Sequence, residues 1–224
     1  MSRRHRLVAG LVGLVALVTV SGCSPVVAGS PTWPGAILEQ VLLTAADFPP
    51  GVQFDRVSAD GSGPGGSGGP APMLSTPAGC SDGLTRVIAE SAERGPGSAA
   101  QFIAAYDGAR MVLTVMTAPL PLDRLAATAQ RCAQFSTYFD PSDQGIPMTT
   151  TKLATPRTSA LAYQQTMRLG GVEHSIFFAF ENVGNWAVFG IAFPTQNPSI
   201  VAKGALPQTF LDVFGIQARR LDAR

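Results

Sequence analysis

Histidine is scarce in this chain of 224 residues, and of its 2 histidines only His174 lies beyond the first five positions. A histidine-rich metal site normally takes three or four ligands at defined spacing, so this chain cannot build one. We interpret His174, beside Glu173 at a predicted strand start, as a partly exposed structural residue. As the base of a hydrolase it would need a serine, but Ser175 points to the opposite sheet face and no Gly-x-Ser-x-Gly elbow is present.

Other motifs that carry chemistry are missing as well. The acids show no closely spaced pair of the kind glycoside hydrolysis uses, and no Cys-x-x-Cys is present. Residues 61–69 include six glycines, yet no Gly-Lys-Ser/Thr follows them to complete a phosphate loop. We therefore predict a chain that is not an enzyme, with no catalytic residue, no metal and no cofactor.

The sequence also lacks an excess of charge and a long apolar run. Its net charge is +1, and without residues 1–22 it has 13 cations against 15 acids. Binding to nucleic acid asks for a basic patch, so we do not expect a nucleic-acid partner. The uncharged stretch at residues 7–20 is 14 residues long, whereas a membrane span needs about 20.

That stretch is typical of a secretory signal, because Arg3, Arg4 and Arg6 precede it. Val20-Ser21-Gly22-Cys23 follows and resembles the bacterial lipobox. The resemblance implies a signal peptide over residues 1–22, cleavage before Cys23, and diacylglycerol and N-acyl (palmitate) chains on Cys23. Two or more acyl chains anchor a protein stably, so the partner would be the outer face of the cell membrane. The alternative is an ordinary signal peptide, with Cys23 later in a disulfide.

With Cys23 assigned to lipid, Cys80 and Cys132 remain. Disulfides persist in exported proteins, and we predict that these two cysteines pair. Closing this loop would stabilise the fold by about 4 kcal/mol in the chain-entropy model. Two free thiols are the alternative.

Periodicity predicts one domain over residues 36–221, after a flexible tether at 23–35 and with a disordered Gly/Pro-rich loop at 60–77. Helices are expected over residues 36–46, from Cys80 to about residue 93, and after Pro121 through Cys132. A last helix is expected over 198–214, broken or restarted at Pro207. Asp107-Gly108 predicts a hairpin turn.

Residues 52–57 predict one strand, and residues 159–169, 172–181 and 186–193 predict a three-stranded meander. Together these elements indicate an α+β fold: a mainly antiparallel twisted sheet of about five or six strands, with helices packed on one face and one disulfide.

Adjacent aromatics at Phe177 and Phe178 must face opposite sides of this sheet. Either both faces are covered, or Phe177 faces an apolar groove with Tyr163, Arg168 and Trp186 near its rim. The second arrangement would accept a small apolar envelope molecule.

A family resemblance accompanies these patterns. The domain opens with Leu42-Leu43-Thr44-Ala45-Ala46-Asp47-Phe48-Pro49, has cysteines at 80 and 132, and ends its meander near Asn185-Trp186. In this it resembles actinobacterial, in particular mycobacterial, lipoproteins of unknown function related to the extracellular sensor domain of PknH-type serine/threonine kinases. The resemblance implies an α+β fold with a cleft and a sensor-like role. This chain has cysteines for one disulfide where the kinase domain has two, and it has no kinase domain.

The expected function is a non-catalytic binding or sensor-like domain, tethered by lipid at the extracytoplasmic face of the cell membrane. A scaffold that binds an envelope protein is the alternative, with a hydrolase third.

Overall fold

The computed structural model describes residues 34–57, 73–92 and 97–224. The predicted signal peptide, Cys23, the tether up to residue 33 and residues 60–72 of the predicted loop lie outside the described residues. Residues 73–77 of that loop are described, and they include a short strand in place of the expected disorder.

Four α-helices are described. They are α1 (Pro34–Val41), α2 (Gly83–Ser91), α3 (Leu122–Arg131) and α4 (Gln208–Asp222). A turn of 3-10 helix, Ala45–Asp47, follows α1. The helix predicted over 36–46 therefore begins earlier and ends at Val41. The last helix was predicted over 198–214 with a break or restart at Pro207, and it does start after Pro207, but it continues to Asp222.

Nine strands form one antiparallel sheet in the described part of the chain. They are β1 (Gln53–Val57), β2 (Leu74–Thr76), β3 (Ala99–Tyr106), β4 (Ala109–Met116), β5 (Gln134–Tyr138), β6 (Ile146–Lys152), β7 (Leu161–Leu169), β8 (Val172–Val183) and β9 (Trp186–Phe193). Their order across the sheet is β1-β3-β4-β9-β8-β7-β6-β5-β2, which leaves β1 and β2 at the two edges.

The sheet has more strands than the five or six predicted, and the three that were not predicted are β2, β5 and β6. β5 is short, and β6 has Pro147 as its second residue, which obscures its strand signal. Pairing of β6 with β7 starts one residue later, at Met148, so the missing N–H of Pro147 falls outside that ladder.

Helices pack on both faces of the sheet, which corrects the prediction of one covered face. α1 and α4 lie on one face, called here the α4 face, where Phe210 and Phe214 join a core with Phe177 and Ala179. α2 and α3 lie on the other, the α2/α3 face. The core on that face is formed by Leu84, Val87, Ile88, Met116, Leu120, Leu125, Ala129, Tyr163, Phe178, Phe180 and Ala187. Alternate residues of β8 thus point to two separate cores.

The predicted disulfide between Cys80 and Cys132 is confirmed. It joins the segment before α2 to the residue that follows α3, and both cysteines are buried beside Phe135. The bond holds the two helices of the α2/α3 face together at one end.

Candidate functional site

A cleft of about 200 Å³ opens on the α2/α3 face, between the start of α2 and the sheet. Its floor is apolar and comes from β8 and β9, and its wall comes from residues 81–85. The floor residues are Ile176, Phe178, Ile191 and Phe193. The cleft therefore combines neighbouring strands with a segment that lies about 90 residues earlier in the chain.

Strand alternation explains the floor. Ile176 and Phe178 lie two apart on β8, so both side chains point to the α2/α3 face. Ile191 stands opposite Phe178 in the β8–β9 ladder. Exposure rises toward the strand ends: Phe178 is buried, whereas Phe193 is 36% exposed. The cleft is thus open at the end of the sheet where β9 ends.

Polar groups of the cleft are mostly engaged within the protein. Ser81 donates its hydroxyl to the carbonyl of Met73 at 2.5 Å, and Thr85 donates to the carbonyl of Asp82 at 2.9 Å. Buried Gln165 donates to the hydroxyl of Thr150 at 3.3 Å. Asp82 is the one ionisable side chain among the described lining residues, and it forms an ion pair with Arg86. Such a lining suits a mainly apolar ligand.

Exposed apolar side chains continue toward the same end of the sheet. Phe139 follows β5 and is 79% exposed, while Leu169 and Val172 face each other across the β7–β8 turn and are each about half exposed. These three residues are called here the apolar edge. A contiguous apolar patch formed by them would mark a surface that binds a partner.

A second concavity, of about 310 Å³, lies between α2 and α3. It is called here the arginine groove, because Arg86, Arg124 and Arg131 all line it. Gly83 lines both this groove and the cleft, so the first turn of α2 separates them.

Of the two arrangements that the sequence left open at the meander, the structure has the one in which both faces of the sheet are covered. Phe177 is buried on the α4 face and does not line a groove. Tyr163 is buried on the α2/α3 face, and burial raises the pKa of its hydroxyl. Arg168 pairs with Glu173, and Trp186 lines a separate depression beside the end of α4. None of Tyr163, Arg168 and Trp186 lines the cleft.

Ser81, Asp82 and Gln165 of the cleft were not predicted, nor was the arginine groove. Arg124 and Arg131 are seven residues apart on α3, and this spacing places both on one helix face. This spacing is the feature of the sequence from which the groove could have been predicted.

His174 is exposed on β8, where it lies opposite Met167 of β7, and no hydrogen bond to its imidazole is found in the described part of the chain. No group of three or more His, Cys, Asp or Glu side chains within the described ranges is arranged to hold a metal ion. None of the helices that the structure describes is long and apolar enough to cross a membrane.

One buried ionisable cluster was missed by the sequence. Glu181 is 1% exposed, and its two carboxylate oxygens accept hydrogen bonds from the Nε–H of Arg157 at 2.9 and 2.8 Å. Ser159 donates to the same carboxylate at 2.6 Å, and Arg157 also donates to Asp222 at the end of α4. The hydrogen bond to Glu181 raises the pKa of Arg157 above its usual range, despite burial. The cluster joins β8 to α4 on the face opposite the cleft, so we interpret it as structural.

Comparison with known proteins adds a fold relationship. No family model matches the chain, and no curated protein matches it. Among solved structures, it is similar to an uncharacterized protein of Mycobacterium smegmatis, the Rv0999 ortholog. The two share 14% sequence identity and a TM-score of 0.50, over 84% of this chain and 95% of that one. At such identity the likeness concerns the fold alone, and it connects this fold to a mycobacterial protein.

Proposed function

We propose that this protein is a non-catalytic, lipid-anchored binding or sensor-like protein of the cell envelope, and that it takes an apolar ligand in the cleft beside α2. The cleft floor carries the proposal, because four apolar side chains from β8 and β9 meet there with one ionisable group at the wall. Ligand sites in proteins are mostly apolar concavities with a few placed polar groups.

The size of the cleft limits what it holds. Its volume of about 200 Å³ is below the roughly 300–1,000 Å³ of sites that enclose a drug-sized molecule. A narrow apolar chain fits this space better than a bulky ring system. The rest of such a ligand would lie outside the cleft.

Cys23 supports the location that we propose. Its place at the end of a lipobox-like motif implies attachment to lipid, and the chain between it and α1 is short. Mass spectrometry of the N-terminal peptide is expected to show a diacylated and N-acylated Cys23. Cys23→Ser is expected to release the protein from the membrane fraction, and retention of this variant there would contradict the anchor.

The relation to the sensor domains of PknH-type kinases is also part of this proposal. The cleft on an α+β domain agrees with it, whereas the single disulfide between Cys80 and Cys132 is one fewer than in those domains.

Native mass spectrometry tests ligand binding. We would purify the mature chain carrying Cys23→Ser from an actinobacterial host and look for a retained small molecule. Ile176→Asp places a charge on the half-buried cleft floor and is expected to remove the added mass. Val201→Asp, at a position 79% exposed and outside the cleft, controls for the added charge, and a thermal melt checks that Ile176→Asp is folded. No added mass in the folded parent, or the same mass in Ile176→Asp, would contradict the proposal.

The apolar edge favours a second function, as a scaffold for another envelope protein. Phe139 and Val201 are each 79% exposed, which makes them a matched pair of positions. A photo-crosslinking side chain at position 139 is expected to give one discrete protein adduct in cells, with none at position 201. Equal labelling at both positions would contradict a specific partner at this edge.

A further inference from the structure

Three guanidinium groups converge in the arginine groove. Arg86 comes from α2, and Arg124 and Arg131 lie about two turns apart on one face of α3. The planar guanidinium offers five N–H donors in a fixed fork that matches the oxygens of phosphate. Three of them around one concavity form a donor set for an oxyanion.

Two of these side chains are held in position by backbone carbonyls. Arg86 donates to the carbonyl of Gly79 at 2.9 Å, and Arg131 donates to the carbonyl of Ala78 at 3.0 Å. Gly79 has φ of +76°, and a Cβ there would lie 2.7 Å from Nη2 of Arg86. The positive φ at Gly79 favours glycine in the loop before α2, where its carbonyl meets the guanidinium. Groups positioned in advance lose less freedom when a ligand binds.

The local charge favours an anion. Asp82 pairs with Arg86 and Glu90 pairs with Arg124, whereas Arg131 has no ion pair within the described ranges. Three arginines against two carboxylates leave a local charge of +1. Both sides of the Arg124–Glu90 pair are about half exposed, and such surface pairs contribute little to stability. A bound oxyanion can therefore replace Glu90 as the partner of Arg124.

The groove and the apolar cleft are neighbours across the first turn of α2. Gly83 lines both, and one helical turn is about 5.4 Å long. Arg86, on the groove side, forms an ion pair with Asp82, which lines the cleft. A molecule with a charged head and an apolar chain could thus reach both concavities around the start of α2.

We infer that the ligand is an anionic amphiphile, whose phosphate head binds Arg86, Arg124 and Arg131 while its apolar chain enters the cleft. This inference rests on the proposed function and names its ligand class. A free phosphate shares the chemistry of the head but not the chain, so the two sources are separable.

Titration calorimetry on the mature chain carrying Cys23→Ser tests the inference. The probes are dodecyl phosphate, dodecyl maltoside and inorganic phosphate, with both amphiphiles below their micelle concentrations. We expect dodecyl phosphate to bind at least about tenfold more tightly than dodecyl maltoside, because its head makes charge-assisted hydrogen bonds to the arginines. It should also bind at least about tenfold more tightly than inorganic phosphate, because its chain buries apolar surface in the cleft. The difference in affinity between dodecyl phosphate and dodecyl maltoside should decrease in high salt, because salt screens the charged contacts.

Arg124→Gln and Arg131→Gln should each lower the affinity for dodecyl phosphate toward that for dodecyl maltoside. Arg124 is 56% exposed, so its replacement leaves the core intact. Arg168→Gln is the matched control, because Arg168 is also exposed and paired with a carboxylate but lies outside the groove. Thermal melts confirm that each variant is folded.

The outcomes separate the two proposals. Equal affinity for both amphiphiles, or no effect of Arg124→Gln and Arg131→Gln, would overturn the head site and leave the apolar cleft in place. If inorganic phosphate binds as tightly as dodecyl phosphate, the groove is a free-anion site and the amphiphile is refuted. If neither amphiphile binds the folded chain, the proposed function fails together with this inference.

Discussion

Gln217 on α4 holds the backbone of Leu43, 174 residues away in the chain. Its Oε1 accepts the Leu43 N–H at 3.0 Å, and its Nε2 donates to the carbonyl of Val41 at 2.9 Å. All three residues are at most 1% exposed. Because water cannot replace these bonds, the amide of Gln217 satisfies backbone groups that the end of α1 leaves open.

Gln217→Met, of similar shape, should therefore lower the free energy of unfolding by about 2–4 kcal/mol, since two buried backbone groups lose their partners. Urea unfolding measures the loss, and hydrogen exchange should show a less protected Leu43 amide. Gln144→Met, at an exposed position in the β5–β6 turn, is the control and should change little. Equal effects of the two substitutions would contradict this role for Gln217.

The same N-terminal segment carries a titratable contact. Thr44 donates its backbone N–H to Asp47 at 2.7 Å, and Arg220 of α4 donates to the same oxygen at 2.9 Å. Partial burial raises the pKa of Asp47, but the hydrogen bonds from Thr44 and Arg220 outweigh it and lower that pKa below its ordinary 3.8.

We expect this contact to make stability depend on pH on the acid side. Between the lowered pKa of folded Asp47 and the ordinary 3.8, the unfolded chain binds more protons, so stability rises with pH. The contribution is complete above the ordinary value and is lost as pH falls through the folded pKa. Asp47→Asn should flatten this dependence in urea unfolding measured across the acid range. Asp55→Asn, an exposed carboxyl on β1, controls for the loss of one charge. An unchanged acid slope in Asp47→Asn would contradict the assignment.

Reduction of the disulfide should destabilise the domain strongly. Cys80 and Cys132 are 52 residues apart in sequence, and a loop of this length is worth about 4 kcal/mol in the chain-entropy model. We expect the urea midpoint of the chain carrying Cys23→Ser to fall when dithiothreitol is added. The same chain with Cys80→Ala and Cys132→Ala should start lower and respond to dithiothreitol no further. Equal midpoints with and without reductant in the parent would contradict the prediction.

Local signals were sufficient for much of the fold. Asp107-Gly108 predicted the β3–β4 turn. In the structure Gly108 adopts φ of +106°, a region that favours glycine. The β7–β8–β9 meander followed from alternation and its glycine turns. These features depend on neighbouring residues, so a single sequence contains them.

Contacts between segments that are distant in the chain could not be predicted from such local patterns. Apolar residues on both sides of β8 are compatible with one covered face or two, and only the packing of α4 under Phe177 decides between them. The cleft likewise needs Ser81 and Asp82 to meet Ile176 and Phe178, and no local pattern places those segments together. The Leu42–Pro49 segment contacts Gln217 and Arg220 of α4, which lie more than 170 residues away in the chain.

Gly190 on β9 is the place where α4 approaches the sheet closely enough to require a glycine. A Cβ at this position would lie 2.7 Å from Cε2 of Phe210 and 3.3 Å from Cδ2 of Phe214. Gly190→Ala should therefore destabilise the fold by about 1–3 kcal/mol, because the buried Phe210 ring has to shift in a packed core.

A double-variant cycle tests whether this contact is the cause. Phe210→Leu removes the ring atoms nearest to the added methyl group, so the combined variant should lose less stability than the two single losses added together. Thermal or urea unfolding of the four proteins gives the coupling energy. Strictly additive losses would mean that Phe210 does not oppose the methyl group, and the requirement for glycine at position 190 would then have another origin.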